Sequence, residues 1–326
     1  GRMSRRTRWI VIGAASVLLL AAGISVVGVI VHISPRRLPL EFHPELPGDL
    51  TPGQEYRFDA NLLEDRHTIS HWFTFDVNSL GFRGPEVDLE KAGWTALVLG
   101  DGFAFGYGIN QGEPFAPQLH DFLEKRHPGA KAAVLNAGVP GYTITDELSY
   151  MKEKGHKLKP DLVIVIVAED DVWQVKRPFQ VRELTRKIAE RRIFGLELLF
   201  WKVTGQAYFV IEHDSDSGGN ERIREYLELL ESYMEVLLEL QALVNGWGGD
   251  VLLIVEKLEY PGLEKALGKA GIPLVVVDRA VPGLDGSTGR GGEYFSPDGH
   301  WSAKTNHELA AYVAGWLAEQ GILPSP

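Results

Sequence analysis

Five short apolar runs constrain the fold more than any other feature of this sequence. They are T-A-L-V-L (95–99), A-A-V-L (132–135), L-V-I-V-I-V (162–167), V-L-L-I-V (251–255) and P-L-V-V-V (273–277). None alternates apolar with polar residues, so each reads as a strand covered on both faces rather than one with a wet side. Helical spacing of apolar residues separates them at 114–125, 145–154, 222–243 and 263–269, and a last amphipathic helix is predicted over 303–319. Such alternation predicts a doubly wound α/β domain, whose ligands sit outside the carboxyl ends of the strands. Residues 100–108, 136–142, 168–173 and 295–302 fall at those ends or in late loops.

The other strong signal precedes this domain. Between Trp9 and Ile33 the only titratable residue is His32, and 25 residues at helical rise exceed the hydrocarbon thickness of a bilayer. Arg5, Arg6 and Arg8 lie before the run and Arg36 and Arg37 after it, which favours a cytoplasmic N-terminus. The small residues Ala21, Ala22 and Gly23 resemble a signal-peptide cleavage region, but the apolar run is too long for one. The expected organisation is a cytoplasmic tail (1–8), a transmembrane helix (9–33), a Pro- and Gly-rich stalk or linker (34–76) and a folded domain (77–326). Residues 176–220 read as an irregular insertion ending in D-S-D-S-G-G-N. This places a single-pass protein in a cell inner membrane, with its C-terminal domain on the periplasmic side.

Composition removes several classes of function. The chain has no cysteine, which excludes disulfides, thiolate nucleophiles and Cys-ligated metals. Residues 1–37 hold six arginines and no acid, whereas the whole chain carries −11, so residues 38–326 carry −17. A domain so acidic offers no basic groove, and no nucleic-acid partner is expected. The glycines at 100, 102, 106 and 108 match neither phosphate-binding fingerprint. Phe105 stands where the dinucleotide motif wants glycine, and no Lys-Ser/Thr pair follows. No cofactor and no metal are expected, because Asp101, Asp170, Asp171, Asp298 and His300 lack compact ligand spacing.

Five blocks in order carry a family resemblance: N-S-L-G-F-R-G-P-E (78–86), L-G-D-G-F-A-F-G-Y-G (99–108), L-N-A-G-V-P-G-Y (135–142), P-D-L-V-I-V-I-V-A-E-D-D-V (160–172) and D-G-H-W-S (298–302). Together they resemble SGNH/GDSL-type hydrolases, most of all the bacterial membrane-anchored branch. The resemblance spans roughly residues 77–320. It implies a flavodoxin-like three-layer α/β sandwich around a mostly parallel five-stranded sheet. It further implies a serine after the first Gly-Asp, oxyanion donors from a backbone N–H in the next block and an asparagine in the one after, and a base with its orienting carboxylate in the last.

Carried over position by position, the nucleophile falls on Gly102, which has no side chain to attack with. Gly138 is retained, flanked by Asn136 and Gly141. The oxyanion asparagine falls on Asp170, whose carboxylate accepts hydrogen bonds and donates none. Asp298 and His300 remain as a dyad with no hydroxyl to deprotonate. Losing a triad serine costs on the order of a million-fold in turnover. Losing one oxyanion donor costs about a hundred- to a thousand-fold more. The sequence therefore reads as a catalytically degenerate member, with Gly102, Gly138, Asp170, Asp298 and His300 as a vestigial site. The role expected is that of an accessory or structural subunit, with the bilayer and membrane proteins as partners. The alternatives are an O-acyl esterase or acyltransferase on cell-envelope glycans, if Gly102 replaces a native serine, and a glycan-binding module in the old cleft.

Overall fold

The computed structural model describes residues 40–43, 46–59, 72–168, 171–175, 219–258, 262–284, 293–296 and 299–323. The expected transmembrane segment 9–33 and residues 176–218 of the expected insertion (176–220) lie outside the described residues, whereas 219 and 220 open a helix. Among the described residues, no helix is long and apolar enough to cross a membrane.

Two antiparallel hairpins come first, built from β1 (Leu40–His43), β2 (Leu46–Leu50), β3 (Gln54–Asp59) and β4 (Trp72–Val77). β3 and β4 pair in unbroken register from Gln54↔Val77 to Asp59↔Trp72. The central sheet follows: β5 (Trp94–Gly100), β6 (Ala132–Asn136), β7 (Leu162–Val167), β8 (Asp250–Val255) and β9 (Leu274–Val276). Its spatial order is β6-β5-β7-β8-β9 with every pairing parallel. Counted within the sheet this is 2-1-3-4-5, the flavodoxin-like order, whose switch point lies between β5 and β7.

Burial on both faces explains the continuous apolar runs. Leu97, Leu99, Val163, Val165, Leu253 and Val255 point to one side, where they meet α3 (Ile144–Glu153), α5 (Gly219–Asn245) and α6 (Leu263–Ala270). Ala96, Val98, Ile164, Ile166, Leu252 and Ile254 point to the other, against α2 (Phe115–Arg126), α7 (Val277–Ala280) and α8 (Ala303–Glu319). The short helices α1 (Gly102–Phe105) and α4 (Asp171–Gln174) start at strand ends. Local chemistry sets the helix starts. Thr143 and Asp146 form a capping box on α3, and the Ser302 hydroxyl accepts the Thr305 N–H at the start of α8.

Two expectations change. The predicted last strand, 273–277, shortens to Leu274–Val276 because Val277 opens α7. The stalk over 34–76 is structured in its described part. Leu50, Phe73 and Phe75 are buried in the same core as the sheet residues, so both hairpins join the domain that was expected to begin at 77. The alternation in W-F-T-F-D-V puts Phe73, Phe75 and Val77 on one inward face of β4. Phe75 stacks on Tyr56 and meets Phe105 edge-on at 5.1 Å. Replacing Phe75 by Ala should therefore lower stability by about 3–5 kcal/mol, as for a core aromatic. Urea unfolding would read this, and a loss below about 1 kcal/mol would mark the hairpin as an appended stalk.

Candidate functional site: a strand-to-helix elbow with a histidine over a glycine

The L-G-D-G block makes a sharp turn at the carboxyl end of β5, beside the switch point. Gly100 sits at φ +142°, and a Cβ there would lie 2.7 Å from both the Ala104 Cβ and the Ile166 carbonyl oxygen. Only glycine meets both conditions. Asp101 then caps α1 by accepting the Phe103 N–H at 2.9 Å, and Gly106 closes the helix in the left-handed region at φ +83°.

Arg83 holds the far end of this turn. The Asn78 side chain accepts the Leu80 and Phe82 N–H groups at 3.1 and 2.9 Å, folding N-S-L-G-F into a turn that sends Arg83 inward. Its guanidinium, 2 % exposed, donates to the carbonyls of Phe105 at 3.0 Å, Gly106 at 2.6 Å and Ile109 at 2.5 Å. The ring faces of Phe105, Phe75 and Phe73 surround it at 4.6, 4.9 and 5.7 Å, within cation–π range. Burial lowers the Arg83 pKa to about 9, and the charge of Glu113 acts in the opposite direction.

Two further loops close on the elbow. A Cβ on Gly138 would stand 2.4 Å from the Phe105 nitrogen, so the second block packs directly on the α1 backbone. Asn136 joins the two, donating to the Phe105 carbonyl at 3.2 Å and accepting the Gly138 N–H at 3.0 Å. The N–H that the resemblance assigns to an oxyanion is thus bonded to a side chain of its own loop. The third piece is the loop before α8. Its ends pair at Phe295↔Trp301, and the Ser296 N–H and hydroxyl donate to the His300 carbonyl at 2.8 and 3.0 Å. The His300 ring lies between Phe103, at 4.8 Å, and Tyr107, at 5.2 Å, with Trp301 edge-on to Phe103.

The decisive distance is at Gly102. A Cβ built there would lie 2.4 Å from His300 Nε2, 3.0 Å from Cδ2 and 3.3 Å from Cε1. The imidazole occupies the space where a side chain of residue 102 would begin. Gly102 and His300 therefore lie against one another and Gly138 packs on the α1 backbone, whereas Asp170 and Asp298 lie outside the described residues. Asp171 is buried and accepts the Ala168 N–H at 2.7 Å, tying its loop to the end of β7. Among the described residues, the one set of three His, Asp or Glu ligand atoms close enough to share a cation is His120, Asp121 and Glu124 on α2. Asp101, Asp171 and His300 form no such set.

The five-stranded order and the blocks at its strand ends together settle the architecture. The fold is a flavodoxin-like three-layer α/β sandwich around a parallel five-stranded sheet. The sequence matches no protein-family model and no curated protein. Solved structures similar to the chain include LAE5, an α/β hydrolase enzyme from the metagenome of Lake Arreo, Spain, at 17% identity and a TM-score of 0.45 over 72% of this chain and 98% of that one. Axe2, an acetylxylan esterase from Geobacillus stearothermophilus, is similar at 16% identity and 0.41 over 72% and 98%. TesA is similar at 16% and 0.43 over 69% and 98%.

Two residues of this region had no role in the sequence reading. Arg83 lies in the N-S-L-G-F-R-G-P-E block, where the sequence alone offers no partner for it. Glu147 sits on the stripe Ile144, Leu148, Met151 of α3, at the buried i+3 position, and a charge on such a stripe is the signal that marks it. Burial foremost, then the neighbouring Asp101 and Asp146 charges, raises the Glu147 pKa well above the ordinary glutamate value.

Arg83→Met should orphan the elbow carbonyls, at about 1–3 kcal/mol per buried acceptor left unpaired. Arg83→Lys should fall between Met and wild type, since an ammonium keeps the charge but lacks the planar fork. Chemical denaturation checks both, and equal stability of all three would show that the clamp is dispensable.

Proposed function

We propose that this chain is a non-catalytic SGNH-like domain carried on one transmembrane helix at residues 9–33, serving as an accessory or structural subunit of a membrane protein assembly. In this reading the N-terminus is cytoplasmic and the domain stands on the periplasmic side of an inner membrane. The observation that carries the loss of catalysis is the 2.4 Å between His300 Nε2 and the Cβ position of Gly102. Ordinary contact with a Cβ begins at 3.4 Å, so a serine here would require the imidazole to withdraw by about 1 Å. A catalytic serine–histidine pair instead needs its oxygen and nitrogen about 2.6–3.2 Å apart. Phe103 and Tyr107 both pack against the ring, and the Trp301 and Ser296 contacts hold its loop. This packing supports long adaptation to glycine more than the recent removal of a serine.

The accessory role is supported by what remains beside the altered site. The elbow, its arginine clamp and the two-sided core are all present, so the domain keeps a rigid surface with no hydroxyl in the place of a nucleophile. The long apolar run flanked by arginines supports the anchor.

Purified wild-type protein should hydrolyse an aryl acetate no faster than its His300→Ala variant. Gly102→Ser should add no turnover and should cost about 1–3 kcal/mol in stability through overpacking against the imidazole. Ester turnover in either protein that His300→Ala abolishes would overturn the non-catalytic reading. Extraction in mild detergent should yield the chain together with a stoichiometric membrane partner. A monodisperse single-chain particle would overturn the accessory role.

A further inference from the structure

Beneath the elbow lies a group of buried acids that the reading above does not use. Asp146 and Asp171 are 1 % and 3 % exposed, and each accepts hydrogen bonds at its Oδ2. Asp146 accepts the Thr143 N–H and hydroxyl, both at 2.9 Å, and Asp171 accepts the Ala168 N–H at 2.7 Å. Asp101 likewise accepts the Phe103 N–H. Such bonds favour the ionised carboxylate. Glu147 differs. It is 2 % exposed, and its buried Oε2 has no hydrogen-bond partner among the described residues. The charges acting on it come from Asp101 at the elbow and Asp146 on its own helix, both negative. From α5, the buried phenol of Tyr233 faces Glu147, and Asp171 on α4 and Tyr226 act on that phenol. A carboxylate with these neighbours would pay both desolvation and repulsion, and a neutral carboxylic acid avoids the two.

We propose that Glu147 is a proton-binding site, which holds one proton in the folded domain at neutral pH and thereby ties the packing of α3 against α5 and the elbow to the pH of its compartment. The inference is independent of the functional reading above, because it rests on the burial and neighbours of Glu147 and not on the geometry at Gly102. Release of the proton to a solvent base leaves a buried carboxylate opposite two others, and the junction of α3, α5 and Asp101 loosens. The direction follows from linkage. The folded chain keeps a proton that the unfolded chain gives up above 4.5, so stability is fully present below that pH and declines as pH rises through the folded value.

The test uses the full chain in detergent, wild type against Glu147→Gln, which copies the neutral acid in shape. Infrared spectra at about pH 7 should show a protonated-carboxyl band in wild type that the variant lacks. The wild-type Tm should fall from about pH 5 to pH 8 more steeply than that of the variant, which should be the more stable of the two at the upper end. Asp101→Asn removes one of the repelling charges and should move the midpoint of the wild-type infrared band to lower pH, a readout that stands even if the glutamine variant does not fold. Absence of the band in wild type, its persistence in Glu147→Gln, parallel Tm profiles or an unmoved midpoint in Asp101→Asn would each overturn the proposal.

Discussion

The Arg83 guanidinium on the carbonyls of Phe105, Gly106 and Ile109 is the interaction on which the rest of the site depends. A helix as short as α1 leaves its last carbonyls without intrahelical partners, and here those carbonyls are buried where water cannot reach them. A planar cation with several donors in fixed directions satisfies them together. Its own burial is costly, and the three phenylalanine faces and the partial negative charge of a helix C-terminus offset part of that cost. Two of those rings, Phe73 and Phe75, come from β4. The N-terminal hairpin is therefore a wall of the elbow, which is why it cannot serve as a loose stalk.

The rigidity bears directly on what the elbow contains. Asn136 ties the second loop to the Phe105 carbonyl, and Gly138 packs on the same backbone, so the turn is held from two sides irrespective of any chemistry at residue 102. With the backbone held, the absence of a side chain at Gly102 leaves room that does not collapse by backbone movement. It is filled instead by the His300 imidazole, an aromatic ring that gains contacts with Phe103 and Tyr107 there. An aromatic ring of a type suited to general-base work thus contributes packing there. Glu147 presents the converse case on the other side of the elbow. A residue type usually found on surfaces lies inside, and its environment makes the neutral form the better one.

Much of the architecture was legible from period and composition. The five apolar runs matched β5 to β9 closely because strands covered on both faces must be apolar at every position, and the last helix, expected over about 303–319 from its amphipathic pattern, spans Ala303–Glu319. The hairpins were not legible. Their Pro, Gly and charged residues read as a linker, and W-F-T-F-D-V is too short to reveal that Phe73 and Phe75 complete a core laid down by distant strands. Of the candidate site, Gly102 and His300 come from blocks far apart in the sequence and lie against one another, and Gly138 packs on the α1 backbone. Arg83 and Glu147 escaped because charge in a sequence is read as exposure unless a partner is known, and part of their surroundings comes from remote segments, such as Phe105 for Arg83 and Tyr233 for Glu147.

By itself, then, the sequence determined the class of fold, the absence of cysteine chemistry and the absence of a hydroxyl at residue 102, because each follows from residue identity and short-range spacing. Only the tertiary structure decided that the His300 imidazole stands where a side chain of residue 102 would begin, that a buried arginine carries the elbow, and that Glu147 is buried near two aspartates with its Oε2 unpartnered. Those outcomes depend on distances between segments remote in the chain. Such distances are set when the two faces of the sheet close and every buried polar group must find a partner or lose its charge.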